Sequence, residues 1–222
     1  MPSSARSKRP SQDDRRSVIL EAAAQVFFEH GYAATSIDAI IERIGGSKRS
    51  IYSEFGNKEG LFTALVSESA DAALSALSVD HFGGKDLSEI LLEFGRGLLK
   101  IYMSPGLIGV YRSIMPEALR FPELAKAFYE KGPGRASGRL AEVLEAARDR
   151  GEIQLDDCRW AADHFVGMFR DNLHLRVVLG LCPPPSPAEA DAAVISAVGI
   201  FLHGVYGVDR TGKPKADSRP RQ

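Results

Sequence analysis

TSIDAIIERIGGSKRSIYSEFGNKEGLF, residues 35–62, packs three helix starts and two stops into 28 residues. Thr35 and Ser36 offer N-caps for a short helix reaching Ile44. Gly45 and Gly46 force a turn, Ser47 caps again, and a second short helix runs to about Phe55, where Gly56 ends it. Asn57 then caps a long helix carrying Leu61, Phe62, Leu65, Val66, Ala73 and Leu77. Upstream, from Gln12 to His30, Val18, Ala22 and Val26 form one i, i+4 stripe and Ile19, Ala23 and Phe27 its neighbour, with Gly31 as the stop. Three helices with a glycine turn between the second and third make a helix-turn-helix. In the third, Ile51 and Phe55 can anchor to a core, while Ser47, Lys48, Arg49, Ser50, Tyr52 and Ser53 are hydrogen-bond donors. A short helix with one apolar stripe and donors elsewhere suits insertion in the major groove. The plainer alternative is a solvated helix face.

Helical periodicity continues through the remainder, and no strand alternation stands out. The pattern predicts an all-α protein of about nine helices, in five parts. Residues 1–11 are a disordered basic arm, 12–56 the helix-turn-helix domain and 57–80 a connecting fourth helix. Residues 81–207 form a larger helical domain, and 208–222 a disordered tail. Leu87, Leu91, Phe94, Leu98 and Ile101 mark a helix, and Pro105, Pro116 and Pro122 punctuate two shorter segments. A helix from about Glu123 to Arg150 is expected to bend near Gly132-Pro133-Gly134. One helix is expected from Asp157 to Leu181, then a proline-rich loop, then a last helix from Ala188 to Tyr206.

Across 222 residues, 28 Lys and Arg face 29 Asp and Glu, which excludes a binder working by bulk positive charge. The charge is nevertheless uneven. Arg6, Lys8, Arg9, Arg15 and Arg16 oppose Asp13 and Asp14 at one end, and Arg210, Lys213, Lys215, Arg219 and Arg221 oppose Asp209 and Asp217 at the other. Residues 61–208 carry 14 basic and 19 acidic side chains, an acidic body between basic ends. No apolar run reaches the ~20 residues of a membrane span. The first 18 residues lack the apolar stretch of a secretory signal, so a cytoplasmic location without membrane contact is expected. Cys158 and Cys182 make no disulfide framework. On one continuous helix they would stand roughly 36 Å apart, beyond the ~7 Å that a bridge spans.

The stretch from Arg16 to about Leu65 resembles the tetracycline-repressor (TetR) family. The motifs are IL-x-AA (19–23), F-x-x-x-GY (28–32), TSIDAI (35–40), SKRSIYSEF (47–55) and NKEGLF (57–62). More weakly, RFPELAKAFYEKGP (120–133) and G-x-I (151–153) resemble the AefR-like subgroup of C-terminal domains. The resemblance implies a homodimeric regulator that binds palindromic double-stranded operator DNA, usually repressing, and a C-terminal domain with the dimer interface and a small-molecule effector pocket. Carried over, Ser47, Lys48, Ser50, Tyr52 and Ser53 occupy recognition-helix positions, Thr35 precedes helix two, and Lys58 matches a phosphate contact. Tyr52 either donates to phosphate or packs in the core.

Three departures stand out. Arg49 replaces a common glycine and suits guanine O6 and N7, with phosphate contact or solvation as alternatives. Glu54 either faces away from DNA or trims affinity. Ile41 and Ile44 stand for small alanines and Gly46 for a valine, which suggests a repacked turn of conserved core volume.

In the body, Trp160, His164, Met168 and Asn172 recur at i, i+4, with Phe165 beside them. Tyr102, Tyr111 and Phe128 come from segments able to pack opposite. Together they suggest an effector pocket for an apolar or aromatic molecule, with ordinary core as the alternative. The last helix is apolar on nearly every side, so Ile195, Val198, Phe201, Leu202 and Val205, with Phe169, suggest a dimer interface. No HExxH, P-loop or GxSxG is present, and the five histidines lack metal-ligand spacing. No cofactor, metal or catalytic residue is expected. Control by a partner protein, and a helical enzyme or ligand carrier, remain as alternatives.

Overall fold

The computed structural model describes residues 12–75, 77 and 85–204. The expected basic arm and C-terminal tail, and Val205, lie outside them. Among the described residues there are eleven α-helices, one 3₁₀ turn and no strand. They are α1 (Gln12–Ala34), α2 (Ile37–Ile44), α3 (Lys48–Phe55), α4 (Lys58–Ser75), α5 (Leu87–Tyr102), α6 (Pro105–Ile114), α7 (Pro122–Lys131), α8 (Pro133–Asp149), α9 (Cys158–Met168), α10 (Asn172–Val178) and α11 (Pro187–His203). The 3₁₀ turn, Met115–Glu117, joins α6 to α7. No described helix is long and apolar enough to cross a membrane.

The start and stop signals act as the chain composition demands. Gly31, at φ 75°, interrupts α1 three residues before its end. Ser36 accepts from the Ala39 N–H at 3.1 Å, Ser47 from the Ser50 N–H at 3.3 Å, and Asn57 Oδ1 from the Gly60 N–H at 2.7 Å. Each cap satisfies one orphan donor of its helix. Gly45 and Gly46, at φ 67° and 117°, take the left-handed turn that a β-carbon disfavours.

The chain forms two compact units, and their boundaries differ from the expected ones. The first holds the described residues up to 72 together with 105–132; the second holds 73–104 and 133 onward. Segment 105–132 therefore groups with the helix-turn-helix and not with the body. The reason is the bare face of α6. A β-carbon at Gly109 would sit 2.6 Å from the Phe28 ring, so only hydrogen lets α6 lie this close to α1. Ser113 Oγ then donates to the Phe27 carbonyl at 2.9 Å.

Two expected long helices are split. Gly132-Pro133 separates α7 from α8. The helix expected between Asp157 and Leu181 breaks after Met168, because the Asp171 carboxylate accepts from the N–H groups of Leu173 and His174 and starts α10 afresh. The Cys158–Cys182 separation argued from a continuous helix thus loses its premise; both cysteines are free thiols. The last helix ends at His203, not Tyr206, with Gly204 as its stop at φ 65°.

The second unit's core is built on Phe94, Phe165, Leu91, Leu98, Leu140 and Leu144. His174, which drew no notice in the sequence, is buried there, its ring 5.6 Å from that of Tyr102. Burial pushes its pKa below the ordinary value; nearby Arg170 lowers it further, and Asp171 opposes. As pH falls past about 6.5, the unfolded chain takes up this proton before the folded one does. The stability contributed by neutral His174 is complete above that pH and is lost as pH falls through the folded pKa. Melting curves of the protein and of His174→Gln should therefore diverge in slope between about pH 7.5 and 5. Parallel curves would remove His174 from the acid response.

Candidate nucleic-acid interface

Helix α3 is amphipathic in the way a groove-inserting helix needs. Ile51 and Phe55 are buried, Arg49 and Ser53 are exposed on the opposite side, and Lys48 and Tyr52 are exposed beside the buried stripe. Tyr52 is 47% exposed, which removes the packed-core alternative for its ring. Ser47 is exposed and serves as the N-cap, and Ser50 is half-buried behind it. The Lys48 ammonium lies 2.8 Å from Asp38 at the start of α2, an exposed pair that a phosphate can displace.

Glu54 is turned away from this face. Its carboxylate meets Arg16 of α1 at 3.1 Å, and the same guanidinium reaches Glu68 of α4 at 2.6 Å while lying 4.8 Å over the Phe55 ring. One arginine thus bridges α1, the recognition helix and α4. Nothing local in the sequence marked it, since its partners are 38 and 52 residues away.

Two expected contacts need correction. Thr35 is 3% exposed, and its hydroxyl donates to the carbonyls of Gly31 (2.7 Å) and Val26 (3.3 Å), so it braces the α1–α2 corner and has no surface to offer DNA. Lys58 is half-buried, and its ammonium donates to the carbonyls of Tyr32, Ala33 and Thr35 at 2.8, 3.2 and 2.9 Å, 4.5 Å from the Tyr32 ring centre. Burial pushes its pKa below the ordinary lysine value; Glu117 opposes and Arg120 reinforces. The turn departs from expectation as well. Ile41 and Ile44 do not fill the space at Gly46, where a β-carbon would meet nothing within 4 Å, and a groove of about 210 Å³ runs past Val18, Ile41 and Gly46.

The residues of the expected effector pocket are divided between the two units. Tyr111 and Phe128 lie edge to face in the first unit, 5.1 Å between ring centres, whereas Tyr102 belongs to the second. Phe165 is wholly buried between Phe169 and Phe201. Trp160 is 65% exposed and His164 is exposed beside it on the outer face of α9. Met168 is half-buried, and Asn172 is exposed beyond the helix break. Of the expected interface residues, Val198 and Phe169 are buried within the chain, Phe201 and Leu202 are half-buried, and Ile195 is exposed.

Comparison with known proteins gives two matches along the chain. Residues 19–65 match the bacterial regulatory proteins of the tetR family, and residues 89–208 match the C-terminal domain of AefR-like transcriptional repressors. The second match alone covers more than half of the chain. The chain belongs to the TetR family. Among solved TetR-like structures, the flavonoid-responsive regulator FrrA is 33% identical, with 91% of this chain and 98% of that one covered and a TM-score of 0.71. A TetR-family transcriptional regulator from Mesorhizobium loti is 30% identical over 90% and 100%, with a TM-score of 0.73. The transcriptional repressor ComR of Escherichia coli is 41% identical over 85 residues, which are 38% of this chain and 36% of ComR. The chain thus matches little more than a third of that relative's length. The match over residues 19–65 takes in α2 and α3 whole.

Proposed function

We propose that the protein is a homodimeric repressor that holds a palindromic operator through α3 of each protomer and releases it on binding a small apolar or aromatic effector. The observation that carries the reading is the two-sided α3. Ile51 and Phe55 fix the helix to its unit, and Lys48, Arg49, Tyr52 and Ser53 form an exposed row of donors. Tyr52, Ser47 and Lys48 supply phosphate contacts, and Arg49, with its planar fork, reads guanine. Repression is favoured by the AefR-like repressor match.

An aromatic effector is favoured by the likeness to flavonoid-responsive FrrA. A groove of about 450 Å³ in the second unit, lined by Leu99, Met103 and Val194 with Lys100 at its edge, is of a size for such a molecule. By linkage, an effector that weakens operator binding must itself bind more weakly to the operator complex, by the same factor.

Selection from random duplexes tests the reading. The expected product is a palindrome with half-sites about 34–36 Å apart or a multiple of that. Recovery of no enriched sequence would overturn it. On the selected site, Arg49→Ala should relax one base position per half-site at a cost of about 1–3 kcal/mol. An equal loss on all sequences would make Arg49 a phosphate contact instead.

A further inference from the structure

We propose that Lys58 is a positioning residue that clamps the end of α1 to the first turn of α4 and so sets the angle of the helix-turn-helix, and that it does not contact phosphate. The inference rests on the DNA-binding reading above and deepens it. An ammonium has three donors and no more. At Lys58 all three are directed to backbone carbonyls, those of Tyr32, Ala33 and Thr35. Those carbonyls belong to the stretch just after the Gly31 break, at the end of α1. Helix C-termini carry unsatisfied carbonyls and the negative end of the dipole, so a cation is held there by hydrogen bonds and by field together. The Tyr32 ring closes one side, and it is itself fixed by Phe27, Phe62 and Phe121 at ring separations of 5.7, 5.3 and 4.9 Å. To reach a phosphate, the ammonium would have to leave three acceptors and a ring face unpartnered.

What the clamp holds matters for recognition. Thr35 is one residue from Ser36, the N-cap of α2, so Lys58 fixes the point at which α2 begins. Two residues further along α4, Gly60 lies against the carbonyl of Phe55, the last residue of α3. The first turn of α4 therefore grips the helix-turn-helix at its entrance, through Lys58, and at its exit, through Gly60. Glu117 and Arg120, from the segment joining α6 to α7, supply the remaining charge near the ammonium. A shift of that segment would reach α2 through this one side chain.

The test uses Lys58→Arg, which keeps the charge but cannot converge three donors on three carbonyls, and Lys58→Met, which removes the donors. Affinity for the selected site and for a random duplex is measured over a range of salt, below the melting temperature of each variant. The clamp predicts that both variants lose at least about tenfold in the ratio of specific to non-specific affinity, as one misread base pair would cost. The salt slope should stay unchanged in both. A slope flatter by about one in Lys58→Met, with its ratio kept and Lys58→Arg near normal, is the signature of a phosphate contact and would overturn the proposal. A purely stabilising lysine would lower the melting temperature and leave the ratio intact, which would overturn it too. Without DNA, amide exchange at residues 36–40 should quicken in both variants. Unchanged exchange there refutes the clamp even if the protein selects no DNA, so the two proposals fail separately.

Discussion

Alanine at position 60 should abolish sequence-selective DNA binding while leaving the second unit folded. A β-carbon on Gly60 would land on the carbonyl oxygen of Phe55 and 3.2 Å from its carbon. The obstacle is backbone, not the end of a flexible side chain, so no rotamer change relieves it. That carbonyl already accepts the Asn57 N–H at 2.9 Å, and Gly56 stops α3 at φ 76°. The chain there has little freedom to retreat. Overpacking of this kind costs about 1–3 kcal/mol. The displacement falls on Phe55, the last residue of α3, within one turn of the exposed Tyr52 and Ser53. Specific binding should drop toward the non-specific level, a loss of about 10³-fold or more. Operator titration and a melting curve of Gly60→Ala check both effects. Wild-type affinity together with a wild-type melting temperature would show that α3 and α4 are not locked at this point.

The helix-turn-helix was legible because its determinants are local. Caps at Ser36, Ser47 and Asn57 and stops at Gly31, Gly45 and Gly56 act within four residues of themselves, so the sequence order carries them. The bracing of the same unit was not legible. Arg16 finds Glu54 and Glu68, and Lys58 finds the end of α1, across 23 to 52 residues, and no spacing rule reaches that far. Thr35 shows the converse error. A residue type that suits DNA contact was placed correctly beside α2, yet its hydroxyl turns inward to Gly31.

The effector face failed for a different reason. Trp160, His164 and Met168 stay together on α9, but Trp160 and His164 are exposed there, and the Asp171 cap puts Asn172 on a separate helix. Periodicity identifies an apolar stripe, but it does not tell whether the protomer's own core or another molecule covers that stripe. On helix α11, Val194, Ala197 and Val198 are buried within the chain, whereas Ile195 and Ile200 are about half exposed.

That open side makes the strongest claim about assembly. Ile195→Glu should convert the protein to monomers and weaken operator binding by about 10²–10⁴-fold, because each half-site would then be held singly, without the high effective concentration that the linked partner supplies. Ile195 is 52% and Ile200 47% exposed in the isolated chain. Gly199 lies between them with nothing within 4 Å of where a β-carbon would sit, so a partner helix has room for close approach. Trp160 on α9, Leu175 on α10 and Leu179 just after it add further exposed apolar surface to the same unit. A carboxylate placed in the centre of such a contact would be desolvated without a partner, at a cost of several kcal/mol. Position 195 is a better probe than Phe201, whose ring lies 5.0 Å from that of Phe165 in the protomer's own core, so that a charge there would unfold the chain before it split the dimer. Light scattering gives the mass, circular dichroism verifies the helices, and titration of full and half operators gives the affinities. A folded Ile195→Glu protein that keeps dimer mass and full operator affinity would place the interface elsewhere on the molecule.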